Sequence, residues 1–468
     1  MPRPRLLAAA CVLVAVCAGI AKAGPPAARA AGDPIRPVAP SPEVRAMLGD
    51  VSPSQISQYD HALVGFKNRN TLSEQHNPNR GIGAARDYIF QQFKKIAATS
   101  DGRMDVKLQS FIQPKVAGEL PRAVRITNVV ATLHGTQPGS KGRTYVVSGH
   151  YDSRASDVND ATSDAPGAND DASGTAVVLE LARVMSRRSF DATIVFMAVA
   201  GEEQDLIGSG HWAKAAAEKQ LDIAGMITND IIGNTRAEGG GVDRSHVRLF
   251  AEGVPPGNLS PETQSRVRTG GENDGPTRQL ARAIKELGER YVAGMTVKVI
   301  YRRDRYLRSG DHASFLEHGY PAVRLSEPAE DYRHQHQNVR EEGGIAYGDT
   351  ADLVDFGYVA NVARVNAAAL AGLALAPAVP AQVELEAARL ENDTTLRWQP
   401  NREPDLAGYR VVWRETTAPF WQDGRDVGKV TRYTVKGLSK DNLVFGVQAL
   451  DSGGHASPAG YPRPARSP

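Results

Sequence analysis

Residues 144–152 read TYVVSGHYD and residues 193–203 read TIVFMAVAGEE; each is an apolar, β-branched run that breaks off in a cluster of histidine or carboxylate. Residues 225–230, GMITND, repeat the pattern and end on Asn229-Asp230. A run that is apolar at every position, not at alternate ones, suits a strand covered on both faces, and such strands belong to parallel sheets. Helical periods separate them. Gly174 to Met185 places Val177, Val178, Leu181 and Val184 on one face, and Gly208 to Lys219 follows the second strand. Further out, Asn128 to Leu133, Val247 to Ala251, Thr296 to Ile300 and Ala322 to Leu325 read as strands. Thr277 to Val292 and Asp311 to His318 read as helices, and Asp355 to Leu375 as a long closing helix. From Glu43 to about Ser100 the signals are helical, with Ala85, Tyr88, Ile89 and Phe93 at helical spacing. Alternating strands and helices predict an α/β fold over 43–376, with a mixed, mostly parallel sheet sandwiched by helices.

The rhythm stops at Pro377-Ala378-Val379-Pro380. Beyond it only short strands follow, at Gln382–Ala387, Thr394–Trp398, Gly408–Glu415, Arg432–Val435 and Val444–Leu450, which predicts a small all-β sandwich over 381–462. The Pro-bounded segment 377–380 reads as a linker with few crossing contacts, so truncation after Pro377 is expected to leave an active core. At the other end, Arg3 and Arg5 precede an apolar run, Leu6 to Ile20, and the cleavage signal Ala21-Lys22-Ala23. Residues 1–23 therefore read as a secretory signal peptide cleaved near Ala23, and 24–42, rich in Ala, Pro and Gly, as a flexible leader. Both cysteines, Cys11 and Cys17, fall in that apolar run. The processed chain is thus expected to lack disulfides, a cysteine nucleophile and thiolate ligands, so a metal must be held by His and carboxylate. The 55 Lys+Arg nearly cancel the 53 Asp+Glu, and no basic field points to nucleic acid. No later stretch reads as a membrane span.

In an open parallel sheet the carboxyl ends of the strands meet in one crevice. His150, Asp152, Glu202, Glu203 and Asp230 are therefore expected neighbours. GANDDASG, residues 167–174, is an acidic turn opening a helix and can reach the same crevice; taken alone, Asp170-Asp171 reads equally well as a helix cap. A late histidine is offered by EDYRHQHQN at 330–338. So many carboxylates and imidazoles beside a dry core repel one another unless cations neutralise them.

Together, His150-Tyr151-Asp152, Gly167 to Gly174, Gly201-Glu202-Glu203, Asp230 and the late His resemble the secreted co-catalytic dizinc aminopeptidases, the bacterial leucyl aminopeptidase group, over roughly residues 45–376. The resemblance implies a zinc-dependent exopeptidase type of fold and two Zn2+ per chain. It implies hydrolysis of N-terminal residues from peptides through a metal-bridged hydroxide. It assigns the metals to His150, Asp170, Glu203, Asp230 and His336, with Asp170 bridging and His334 competing with His336 for the last position. Glu202 becomes the general base, Asp152 orients the His150 ring, and the Asp170–Asp171 peptide bond is implied to be cis. Tyr332 is the nearest candidate for stabilising the oxyanion. Ser309-Gly310-Asp311-His312 resembles a family loop near the site, and His312 there reads as a residue that supports the ligands or as structural, not as a ligand itself. The Arg302, Arg303, Arg305 and Arg308 run reads as a solvated surface, with a substrate carboxylate as its alternative role. The strand–HYDS segment and the Glu-Glu pair are shared with single-zinc acyltransferases of the glutaminyl cyclase type, and a carboxypeptidase or dipeptidase of the same family is a further alternative. The tail, with Trp398, Pro404-Asp405-Leu406-Ala407-Gly408-Tyr409 and Tyr433-x-Val435-x-Gly437-Leu438, resembles a fibronectin type III domain, which implies a surface, polymer or protein ligand for it.

Overall fold

The computed structural model describes residues 33–35 and 40–465; the expected signal peptide and most of the leader lie outside the described residues. Eight strands form the main sheet: β1 (Met104–Gln113), β2 (Val124–Leu133), β3 (Arg143–His150), β4 (Thr193–Val199), β5 (Asp222–Asn229), β6 (His246–Ala251), β7 (Thr296–Ile300) and β8 (Ala322–Ser326). Their spatial order is β1-β2-β4-β3-β5-β8-β6-β7. The central four, β4, β3, β5 and β8, run parallel. β2 is antiparallel to both β1 and β4, and β6 is antiparallel to β8 but parallel to β7. This is the mixed, mostly parallel sheet the sequence predicts. The prediction starts the sheet at Asn128 and omits β1. That edge strand carries Lys107, Gln109 and Ser110 and is exposed on both faces, at Asp105 and Lys107 on one and at Leu108, Ser110 and Ile112 on the other, so it lacks the continuous apolar signature of the buried strands.

The helices are α1 (Pro42–Gly49), α2 (Pro53–Gly65), α3 (Ile82–Ala97), α4 (Ser173–Met185), α5 (Ile207–Glu218), α6 (Pro261–Arg268), α7 (Pro276–Tyr291), α8 (His312–Glu317) and α9 (Phe356–Leu375). The strand pleat explains why the central runs are apolar throughout. Ile194, Phe196 and Ala198 of β4 enter the core shared with α1–α4, α7 and α9, whereas Val195, Met197 and Val199 enter a second core with Trp212 of α5 and Phe315 of α8. Each buried Ile, Val, Phe or Met among them stabilises the fold by about 1.5–3 kcal/mol. Helix α9 has the length and composition of a membrane span among the described residues, but it is apolar all round because α1, α2, α4 and α7 surround it.

The tail forms a three-stranded and a four-stranded sheet around a core of its own that includes Trp398, Tyr409, Leu438 and Phe445. Two expectations are corrected here. The leader is not free along its whole length, because Asp33–Pro34 adds a strand to the tail sheet opposite Gly424 and Asp423, and helix α1 already starts at Pro42. The tail is also not joined by a contact-poor linker. Asp274, before α7, receives Arg414 of the tail at 2.8 and 2.9 Å, while Arg282 reaches it at 3.0 Å from α7; all three side chains are buried. Arg143 of β3 pairs with Glu403 and donates to the Ala376 carbonyl, and Arg282 also donates to the Pro419 carbonyl at 2.8 Å. Ion pairs between buried side chains far apart in sequence cannot be seen in the short proline-bounded segment 377–380, and they make the tail part of the same body.

Candidate metal centre

The carboxyl ends of β4 and β5 deliver Glu202-Glu203 and Asp230 to the wall of one cleft of about 470 Å3 at the edge of the parallel strands, and β3 ends on His150, buried with its Nε2 3.9 Å from both Glu202 and Asp230. The acidic turn arrives through a tight construction. Gly167 sits in the left-handed region at φ 54°, where a Cβ would lie 2.5 Å from the Asp170 carbonyl oxygen. At Gly174 a Cβ would lie 2.2 Å from the Asn229 carbonyl oxygen, so only glycine lets α4 start against β5. The Asp170–Asp171 peptide bond is cis. The two carboxylates then point to different partners. Asp171 accepts the backbone N–H groups of His150 at 3.0 Å and Gly174 at 2.9 Å, tying β3 to α4. Asp170 faces the cleft.

Two ligand sets form around it. His150 Nε2 lies 3.1 Å from Asp170 Oδ1 and 3.9 Å from Asp230 Oδ1. His336 Nε2 lies 3.0 Å from Asp170 Oδ2 and 3.2 Å from Glu203 Oε2. Within each set the donor atoms lie within 4.8 Å of one another, and Asp170 belongs to both. His150 Nε2 and Glu203 Oε1 are buried and make no hydrogen bond, which an ion at these positions would remedy. Neutral imidazole nitrogens with carboxylate oxygens are a donor set that suits zinc. Glu202 stands beside the first set, 3.9 Å from His150 Nε2.

Asp152 accepts the backbone N–H groups of Glu202 and Glu203 at 3.4 and 3.2 Å, so it fastens the Glu-Glu turn to the loop after β3. Its own carbonyl, at 3.2 Å, is nearer to His150 Nδ1 than its carboxylate is, at 3.7 Å. The orienting contact on the ring therefore comes first from the Asp152 backbone. Of the two late histidines, the structure brings His336 to the cluster. His334 turns away, with Nδ1 3.2 Å from the Gly348 carbonyl and Nε2 3.6 Å from Asp331. His312 is buried against the Arg303 carbonyl at 2.9 Å, in keeping with a structural role. Tyr332 lies under the Arg308 guanidinium, 5.9 Å from ring centre to carbon, and does not line the cleft.

The electrostatics follow from burial and crowding. Burial and the neighbouring acids push the Glu202 carboxyl well above its usual range, although His150 opposes them. For Asp170, burial acts upward but is outweighed by the hydrogen-bonded contacts of His150 and His336, which hold it well below. Burial alone would lower the His336 pKa, yet Glu203 and Asp170 push it up to about 10. The site therefore binds positive charge strongly at the two imidazoles, the positions where the two ligand sets would place cations.

Several supporting residues carry no motif. Asp349 accepts the Asn169 N–H at 2.8 Å and the Asp170 N–H at 2.7 Å, and buried Arg69 donates to the Tyr151 and Gly167 carbonyls at 2.8 Å each. Arg324 Nη2 donates to Asp230 Oδ1 at 2.8 Å. Only Arg324 left a readable sign, a lone cation inside the apolar strand AVRLS, which demands a buried acidic partner. Arg305 and Arg308 depart from the solvated surface expected for the arginine run: both face the cleft, and Arg305 is largely buried against Asp304.

The sequence profile of Peptidase family M28 matches residues 128–342. A probable zinc metalloprotease of Leptosphaeria maculans is 47% identical over 430 residues, covering 92% of this chain and 99% of that protein. Among solved structures, LapB from Legionella pneumophila is similar at a TM-score of 0.51 and 20% identity, covering 74% of this chain and 78% of that one. A glutaminyl cyclase from Macrostomum lignano is similar at a TM-score of 0.50 and 17% identity, covering 73% and 98%. At these identities the structures speak for the fold alone.

Proposed function

The chain belongs to peptidase family M28 and is similar to probable zinc metalloproteases, and on that premise we propose that it is an aminopeptidase that uses two zinc ions to remove N-terminal residues from peptides. The observation that carries this reading is that Asp170 belongs to both ligand sets, one completed by His150 and Asp230 and the other by Glu203 and His336. Zinc held there would supply Lewis-acid polarisation of the scissile carbonyl and a water acidified enough to attack it.

The chain's own residues do the rest. Glu202 takes a proton from the attacking water and returns it to the leaving nitrogen, a role suited to a carboxylate whose pKa is raised by burial and by the neighbouring acids. Asp230 is held by Arg324, and the Asp170 turn by Asp349, so the ligands are oriented before substrate arrives. The free α-amino group of a peptide is drawn to the acidic floor of the cleft, which limits attack to the first peptide bond. Residues 1–23 direct secretion in this reading. The tail acts as a fibronectin type III-type module that holds the enzyme on a surface or polymer.

Elemental analysis of the zinc-saturated protein, with a panel of aminoacyl anilides, tests the proposal. Two zinc ions per chain and anilide release abolished by chelation are expected. One ion per chain, with cyclisation of N-terminal glutamine and no anilide release, would replace it with the acyltransferase reading.

A further inference from the structure

The arginine run that the catalytic reading leaves unused has a charge balance that calls for an anion. Four guanidiniums, those of Arg248, Arg305, Arg308 and Arg324, converge on two carboxylates outside the zinc cluster. Glu330 takes Arg248 at 2.6 Å, Arg308 at 3.0 Å and Arg305 at 3.4 Å. Asp304 takes Arg305 at 3.1 Å and Arg324 at 3.2 Å. Asp230, which also faces Arg324, is committed to the metal in the reading above. Positive charge is thus left in surplus, although the Arg305 side chain is only 10% exposed. Guanidiniums held out of water without enough counter-charge are costly unless a further anion joins them.

The surplus faces the substrate cleft. Arg305 and Arg308 line it together with Glu202, Asp230 and His336. Arg308 spends only Nη1 on Glu330; among the described residues, its Nε and Nη2 and the Nη2 of Arg305 donate to no protein acceptor. Glu330 on one side and the Tyr332 ring on the other hold the Arg308 guanidinium in place. A preorganised fork with a free edge matches a carboxylate.

We propose that Arg308, backed by Arg305, is a carboxylate-recognition site that makes the enzyme prefer carboxylate-bearing peptides. The carboxylate has two sources, an acidic side chain on the residue being released or the C-terminal carboxylate of a short peptide. The proposal rests on the aminopeptidase reading and names its substrate class. The cleft's own acids, Glu119 and Asp205 among them, would otherwise repel such substrates, so a preference for them has to come from the arginines.

The test uses the full-length zinc-loaded protein and compares kcat/KM within matched pairs. Glu-anilide against Gln-anilide reads the side-chain source, and Leu-Gly-Gly against its C-terminal amide reads the terminal source. A preference for the acid of at least about tenfold, equal to about 1.4 kcal/mol, is expected in one pair and identifies the source. Arg308→Gln should bring that ratio close to one, Arg308→Lys should restore part of it, and Arg308→Glu should invert it. Because each ratio is internal to one preparation, partial loss of folded enzyme cancels. Ratios near one in both wild-type pairs, or a ratio that survives Arg308→Gln, with Gln-anilide hydrolysed throughout, would overturn the proposal and leave the aminopeptidase reading standing. Failure of the zinc-loaded wild type to hydrolyse any of the four substrates would overturn that reading, and this one with it.

Discussion

Replacing Asp274 by Asn tests whether the tail is built into the catalytic body. The change is isosteric and keeps an acceptor, but it removes the one carboxylate that Arg282 and Arg414 share across the junction at 2.8–3.0 Å. Their side chains are 5% and 4% exposed, so water cannot take over the lost charge. Both retain carbonyl partners, Arg282 on Pro419 and Asn273 and Arg414 on Ala418, which satisfies hydrogen bonds but not the like charges now facing each other. Removing one partner of a buried pair costs about 3–5 kcal/mol. A tail melting by itself, at the size of a 60–100-residue domain, would respond by roughly 4–8 °C per kcal/mol, so its transition should fall by about 12 °C or more. If the chain melts as one unit of more than 400 residues, the same loss moves Tm by only about 3–6 °C, at roughly 2.1 cal/mol/K of unfolding entropy per residue. Calorimetry together with urea unfolding separates these cases. Asp426→Asn is the control: its Arg410 pair lies on the surface, with Asp426 60% exposed, and should be worth about 0–1 kcal/mol. An Asp274→Asn protein within about 1 kcal/mol of wild type, and no worse than the control, would refute the claim that this junction is a structural interface.

The remaining predictions concern the site and the truncation. Glu202→Gln should lower kcat by about 10²–10⁴-fold while leaving zinc content and near-ultraviolet dichroism unchanged. Asp170→Ala should reduce binding at both metal positions, whereas Asp230→Ala should spare the one completed by Glu203 and His336; elemental analysis at fixed free zinc reads the difference. His336→Ala should lose zinc, and His334→Ala, whose ring points to Gly348, should keep it. Truncation after Pro377 should yield an unstable or aggregating core, because it strips the partners of Arg143, Asp274 and Arg282; a soluble fragment with a wild-type melting curve would contradict the docked arrangement.

The local sequence was enough for the parts of this protein that depend on chain-neighbour chemistry. TIVFMAV reads as a strand covered on both sides, since a pleat sends successive residues to opposite faces and all six residues after Thr193 are apolar. The clusters closing such strands had to share a crevice, because parallel strands end at one edge, and so the sequence alone groups His150, Glu202, Glu203 and Asp230. Spacing could not choose between His334 and His336. They are two residues apart, and the choice is made by the loop backbone, which takes a left-handed turn at His336, φ 54°, and aims that ring at Asp170. Nor could it find Asp349, Arg69 or the Asp274 junction, whose partners lie up to 180 residues away along the chain. Burial is what gives those contacts their force: a charge removed from water must meet its partner or cost several kcal/mol. Which groups are removed from water is a property of the packed structure, and for that reason the sequence determined the buried strands, the crevice and most of the candidate metal-binding residues, while only the tertiary structure decided which His joins them, where the arginines of the 302–308 run point and how the tail is attached.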